Sequence, residues 1–100
     1  MKYLVTGRPG RNPVPSEKAV DLIKAAQEYI VAKFQDGTRD CQYAFADQGG
    51  FFITNADSHE AVMDELLEYP LFFYLYWEVK PLCDWSHLYD RLIEGLSSTD

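Results

Sequence analysis

Basic side chains are scarce in this sequence: nine Lys and Arg stand against sixteen Asp and Glu, for a formal charge of -7. No run of Lys or Arg occurs anywhere along it. A phosphate backbone is held by clustered cations, so nucleic acid is not an expected partner. An anionic membrane surface is disfavoured for the same reason. Cysteine is sparse too, with only Cys41 and Cys83. Two cysteines so spaced make neither a zinc site nor a disulfide scaffold, and reduced thiols are expected. The two histidines, His59 and His87, fall in no HxH, HxxxH or HExxH pattern, so no metal is expected. Gly7 and Gly10 flank Pro9 with no helix immediately following, which is no phosphate cradle. No cofactor is therefore expected. No apolar run is long enough to cross a bilayer, and the opening MKYLVTG has no signal-peptide core. The expected compartment is the cytoplasm.

What the sequence does have is apolar surface and rings. Of its 100 residues 47% are hydrophobic, and seven Tyr, six Phe and two Trp make the aromatic share 15%. That is ample for one core and too much for a disordered chain. One domain spanning 1–100 is expected. Some rings should line a pocket or an interface, where a Tyr or Trp buries area and still satisfies its polar tip.

Residues 2–6, KYLVT, read as a strand. The loop GRPGRNPVP over 7–15 has too many prolines and glycines for regular structure. A helix capped by Ser16 is read to about Phe34, with Val20, Ile23, Gln27, Ile30 and Phe34 at helical spacing and Asp36-Gly37 ending it. Residues 38–46 and 51–56 read as a hairpin around the turn DQGG at 47–50. Asp57 and Glu60 suggest a capped second helix with the stripe Val62, Met63, Leu66 and Leu67, broken at Tyr69-Pro70. Residues 71–80, LFFYLYWEVK, are the longest strand candidate, with apolar residues on both faces. Pro81-Leu82 closes it. Asp84 caps a third helix with the stripe Trp85, Leu88, Tyr89, Leu92 and Leu96.

Strand, helix, strand, strand, helix, strand is the order of a ferredoxin-like α+β fold. It gives a four-stranded antiparallel sheet, two helices on one face and an extra C-terminal helix. Because residues 71–80 are apolar on both sides, the second face is expected to meet another copy of the chain, in at least a dimer. The competing reading folds the C-terminal helix over that face. Strict alternation turns Tyr3, Val5, Cys41, Tyr43, Phe45, Phe51, Ile53, Phe73, Leu75, Trp77 and Val79 toward the helices. It turns Lys2, Leu4, Thr6, Asp40, Gln42, Ala44, Phe52, Thr54, Tyr74, Tyr76 and Glu78 toward the partner sheet.

The stretch Tyr69-Pro-Leu-Phe-Phe-Tyr-Leu-Tyr-Trp-Glu78-Val-Lys-Pro-Leu82 resembles the last strand of the muconolactone isomerase family. There a Pro-Leu-Phe run enters a strand ending in Glu-Val-x-Pro-Leu. The helix opened by Ala56-Asp57-Ser58 and ending at Leu66-Leu67 agrees, as does the hairpin at Gly49-Gly50. The resemblance spans residues 16–82; the loop at 7–15 and the region from Asp84 to Leu96 differ from the family. It implies a dimeric α+β barrel, assembly into larger oligomers, and cofactor-free proton transfer that moves a double bond in a small lactone carboxylate. The wider superfamily also holds cofactor-free monooxygenases, haem-binding enzymes and ligand sensors, so the fold alone names no reaction.

Glu78 ends an aromatic strand, where enclosure would raise its pKa and suit it as a base; otherwise it is a strand-end carboxylate paired with Lys2 or Lys80, or solvated. Tyr74 and Tyr76 would donate to a developing oxyanion, or simply pack in an interface. Arg8 would grip a substrate carboxylate, or, like Arg11, remain a loop charge. Phe52, Thr54 and Gln42 complete the expected lining. His59 and His87 read as exposed turn residues. The function expected is an isomerase acting on a small unsaturated organic acid or lactone. The alternatives are a non-catalytic ligand-binding or accessory barrel domain, and a structural module whose rings fill the barrel. Protein purified without a metal-binding tag should carry no stoichiometric zinc by elemental analysis, and calorimetry should show no tight ATP or NAD binding.

Overall fold

The computed structural model describes residues 1–98. The elements run β1 (Lys2–Pro9), α1 (Ser16–Gln35), β2 (Arg39–Ala44), β3 (Gly50–Asn55), α2 (His59–Leu67), a 3-10 turn (Phe72–Tyr74), β4 (Leu75–Leu82) and α3 (Trp85–Ser98). The four strands form one antiparallel sheet in the order β2-β3-β1-β4. This is the expected α+β ferredoxin-like topology.

Local signals place the ends. Ser16 is the first residue of α1 rather than its cap; Pro15 precedes it, and no side chain caps the helix. At α2 the cap is Ser58 and not Asp57: its Oγ accepts from the Ala61 backbone N–H at 3.1 Å. Asp84 does open α3, its Oδ1 accepting from the Ser86 N–H at 3.3 Å. Gly37 leaves α1 at φ +80°, where a Cβ would be strained.

The largest departure lies at 71–74. The Phe72 N–H bonds to the Tyr69 carbonyl and the Tyr74 N–H to that of Leu71, both at 3.0 Å. These bonds close a tight turn after Pro70, so β4 starts only at Leu75. Phe73 points to solvent. Beyond the turn Leu75 and Trp77 are half-buried and Tyr76 and Glu78 exposed, the rest of β4 is exposed, and Pro81 and Leu82 pair with Tyr3 and Lys2 rather than closing the strand. Pro81 is tolerated because β4 is an edge strand.

Register corrects the face assignment. Val5 pairs with Phe52 and with Val79, and Tyr3 with Thr54. Hence Tyr3, Val5, Phe52, Thr54, Trp77 and Val79 share the helix-covered face. The pairing of β2 skips between Arg39 and Cys41, and this bulge turns both Arg39 and Gln42 inward. Cys41, Tyr43, Phe51 and Ile53 therefore face away from the helices, and Phe52, Thr54, Gln42 and Ala44 face toward them, the reverse of strict alternation. A one-residue change in phase flips every later side chain.

The core joins Tyr3, Val5 and Phe52 of the sheet to Val62 and Leu66 of α2. Beside it lies a buried polar cluster. The Arg39 guanidinium donates to Glu65 at 2.5 Å and to Gln42 Oε1 at 2.7 Å, and stacks 3.6 Å from the Phe52 ring centre. The Thr54 hydroxyl donates to Glu65 at 2.9 Å, and the Tyr29 hydroxyl to the Glu65 carbonyl oxygen. Residues of α1, β2, β3 and α2 thus meet at one charge pair.

The last helix does not join this body. Trp85, Leu88, Tyr89, Leu92, Ile93 and Leu96 are all exposed, Trp85 and Leu96 each by 70%. The radius of gyration is 17.3 Å and the extents 66 × 29 × 24 Å, whereas a compact chain of this length would have a radius of about 13 Å.

Removing one partner of a buried ion pair strands the other charge. Glu65→Leu should therefore cost about 3–5 kcal/mol, measured by urea unfolding. Thr54→Val, which loses a hydroxyl and keeps the shape, should cost about 1–3 kcal/mol.

Candidate functional site

The sheet face that the helices leave uncovered carries the first group of candidates. Arg8 pairs in register with Tyr76, and Thr6 with Glu78. Side chains opposite one another, and two apart along a strand, lie within about 4.5–8 Å at Cβ. A guanidinium, a phenol, a hydroxyl and a carboxylate therefore form one polar patch on β1 and β4. Arg8 also lies 4.7 Å over the Phe45 ring. Leu4, Phe51, Ile53 and Tyr43 continue the face as an apolar surface, with Tyr76 64% exposed and Glu78 also exposed. At its far edge Lys2 bonds to Asp40 and, at 3.0 Å, to Asn55; Asn55 also donates to Asp40 at 2.7 Å. Lys2 is thus committed to Asp40 rather than Glu78. The bonds from Lys2 and Asn55 hold the Asp40 carboxyl below its ordinary range.

Three of the seven expected residues, Arg8, Tyr76 and Glu78, come together there. Tyr74 does not join them. It lies in the 3-10 turn, where its carbonyl accepts from the Gly10 N–H at 3.0 Å and its side of the chain borders a hollow along Pro9–Val14. Thr54 is fully buried and spent on Glu65. Gln42 and Phe52 line a different space altogether.

That space is a cavity of about 470 Å³ between the sheet and α1, and its origin can be read in the strands. Ala44 of β2 pairs with Gly50 of β3, and Gly50 with Gly7 of β1. Three neighbouring strands thus present almost no side chain in one row on the helix-covered face. A Cβ added at Gly7 would lie 2.9 Å from the Trp77 ring, and one at Gly50 2.6 Å from the Tyr43 carbonyl oxygen. Gly49, at φ +86°, brings the hairpin turn against Gly7, where a Cβ would lie 2.4 Å from the carbonyl oxygen. Ile30 and Phe34 of α1 roof the cavity, and Phe52, Tyr69, Leu71, Leu75 and Trp77 wall it. The rings are fixed by each other: Trp77 stacks on Phe72 and meets Tyr69 edge-on, and its indole N–H donates to the Phe72 carbonyl at 3.1 Å.

Among the described residues no carboxylate, histidine or cation lines this cavity. Among the described residues no group of three His, Cys, Asp or Glu is placed to hold a metal. Strict alternation missed Ala44, Gly7 and Gly50 as a floor and Arg39 with Glu65 as the polar support behind it. Glycine inside strand-like sequence was the available signal, because it marks a bulge or close approach.

Comparison with solved structures places the fold. The chain is similar to muconolactone isomerase, with a TM-score of 0.74 and 26% identity over 84% of this chain and 90% of that one. It is also similar to 5-chloro-2-hydroxyhydroquinone dehydrochlorinase from Burkholderia phenoliruptrix AC1100, solved in complex with 2,5-dihydroxybenzoquinone. There the TM-score is 0.65 and the identity 16%, over 87% of this chain and 98% of that one; this second likeness is one of fold alone. No family model and no curated protein sequence matches the chain.

Packing at the cavity floor is checked by Gly7→Ala, whose new methyl must push the Trp77 ring aside. A loss of about 1–3 kcal/mol in urea unfolding is expected. The phenols nearby give a second measurement. Burial raises the pKa of Tyr29, with the Glu65 charge adding to it, and burial raises that of Tyr69. A raised folded value means stability is present below the ordinary phenol pKa of about 10 and is lost as pH climbs from there through the folded value. Ultraviolet titration should show Tyr29 and Tyr69 ionising above the ordinary phenol range, or only as the protein unfolds.

Proposed function

We propose that this muconolactone isomerase-like chain is a cofactor-free isomerase acting on a small unsaturated organic acid or lactone by proton transfer. The observation that carries the reading is the register of β1 against β4, which sets Arg8 beside Tyr76 and Thr6 beside Glu78 on the uncovered sheet face. These are the groups such a reaction needs. A carboxylate removes a proton next to a carbonyl and returns it elsewhere. A phenol donates to the oxygen on which charge develops. A guanidinium holds a substrate carboxylate by two parallel hydrogen bonds. The fold is one that a known isomerase of small molecules uses.

In the protomer alone this patch is open to water. The proposal therefore includes a second copy of the chain laid sheet to sheet against it. Enclosure would strengthen each hydrogen bond made within the patch. The apolar part of the face, Leu4, Phe51, Ile53 and Tyr43, supplies the seal, and the exposed stripe of α3 supplies a further surface to bury on the neighbouring copy.

Two measurements test this. Sedimentation at micromolar concentration should show a dimer or larger, and removing residues 84–100 should lower stability or break the assembly; a stable monomeric full-length chain would sink the enclosed site. Once a substrate is found among small unsaturated lactones and acids, Glu78→Gln should lower kcat by about 10²–10⁴-fold with the fold intact. Arg8→Gln should act mainly on KM. Full activity in the Glu78 variant would remove Glu78 as the base.

A further inference from the structure

We propose that α3 of one chain seats in the groove between α2 and β4 of a second copy, in a reciprocal exchange about a twofold axis. The contact shares with the isomerase reading only the presence of that second copy. It uses the edge of the sheet and none of Arg8, Tyr76 or Glu78.

The helix layer stops one strand short. Val5 of β1 packs with Val62 and Leu66 of α2 and is 0% exposed, whereas Val79, its register partner on β4, is 39% exposed. The result is a groove of about 390 Å³, with Val62, Met63 and Leu66 on one side and Val79 and Pro81 on the other. His59, edge-on to the Tyr3 ring, lies at its Pro81 end. Met63 and Leu67, one turn apart on α2, are both exposed. β4 is also an edge strand, and proteins shield such edges with a helix or loop.

The chain carries the matching element. Trp85, Leu88, Tyr89, Leu92 and Ile93 make an apolar stripe on α3, and all five are exposed. Contiguous apolar surface of this kind marks a protein contact. Beside α2 the groove runs from His59 to Leu66, about 10 Å at 1.5 Å per residue, and α3 at the same rise is about 21 Å long. About two turns of α3 therefore occupy the groove.

The link between β4 and α3 selects the second copy over the same chain. Only Cys83 and Asp84 lie between Leu82 and Trp85. Asp84 is already committed to the helix, its Oδ1 accepting from the Ser86 N–H and its carbonyl from the Leu88 N–H. Two extended residues give about 7 Å of chain. That length must both reverse direction and step sideways by the roughly 8–10 Å between packed helix axes. A short link under such strain favours exchange over folding back, and α3 indeed stands away from its own groove. Exchange also supplies area. A buried Trp or Tyr contributes about 150–250 Å². Each partner both gives a stripe and receives one, which brings the contact to the roughly 800 Å² per partner of a stable interface.

Cross-linking between full-length chains tests the contact, in a background where Cys41 and Cys83 are replaced by Ala. Met63→Cys in one chain and Leu92→Cys in another are mixed and treated with a short bismaleimide. Both positions are exposed, so the fold tolerates them. The two chains should join covalently. A chain carrying both cysteines should cross-link into dimers and not within itself. Tyr43→Cys, on the open sheet face, and Val31→Cys, on α1, should give little product with Leu92→Cys. Leu67→Arg beside the groove should lower the yield about tenfold, as the loss of a central apolar contact does. A cross-link within one chain, a higher yield at Tyr43 or Val31 than at Met63, or a yield unmoved by Leu67→Arg would overturn the proposal. So would absence of the Met63–Leu92 product from a protein that sediments as a dimer, an outcome that leaves the sheet-to-sheet reading standing. The cross-link is read without substrate, so a chain that forms it and turns over nothing would sink the isomerase reading alone.

Discussion

A guanidinium and a carboxylate, both almost out of reach of water, organise this molecule. Arg39 from β2 and Glu65 from α2 would each be costly to bury alone. Together they draw in Thr54 from β3, Gln42 from β2 and the Tyr29 hydroxyl from α1. The Glu65 carboxylate accepts from Arg39 and Thr54, and Arg39 also reaches Gln42 and the Phe52 ring, which allows the pair to exist in an apolar layer although the Arg39 Nε is left without a partner. Directionality then does what hydrophobic contact cannot: it fixes how far α2 lies along the strands and which face of β2 is inside.

The bulge beside Arg39 belongs to the same arrangement. Without the skip between Arg39 and Cys41, Arg39 and Gln42 would fall on opposite faces of β2, and the bond between them could not form. The bulge thus connects the structural cluster to the cavity, since it turns the amide of Gln42 inward beside the glycine row. The open face has the complementary character. Its polar patch lies at the β1–β4 end, its apolar part over β2 and β3, and no helix among the described residues covers either.

Topology was legible because helical stripes, turn residues and the strand–helix order are local signals, but two strand bounds moved: β1 runs on through Gly7, Arg8 and Pro9, which had read as irregular loop, because they pair with β4, and β4 starts only at Leu75. The faces of β1 and β4 were legible as well: Tyr3, Val5, Trp77 and Val79 point inward as alternation requires. The faces of β2 and β3 were not. Nothing in TRDCQYAFA announces that Asp40 is passed over in the pairing, and phase between strands is a long-range property. The apolar run at 71–74 misled for a different reason. Its composition suits a strand, but the tight turn following Pro70 claims its backbone hydrogen bonds first. Glu78, Tyr76 and Arg8 were legible as a group because they sit on strands whose phase is simple; Tyr74, Thr54, Gln42 and Phe52 were separated from them by the turn and the bulge.

The row Ala44–Gly50–Gly7 also bears on how long a molecule of this protein survives. Each strand glycine gives up roughly 0.5–1 kcal/mol relative to alanine, and the space above the row forgoes contacts a filled core would make. A molecule that filled this space would return stability as the logarithm of one plus the ratio of its free concentration to its dissociation constant. The empty chain opens more often than the loaded one, and opened chains are what cellular proteases remove. Any compound that filled the space would therefore raise the amount of this protein in a cell without any change in its synthesis.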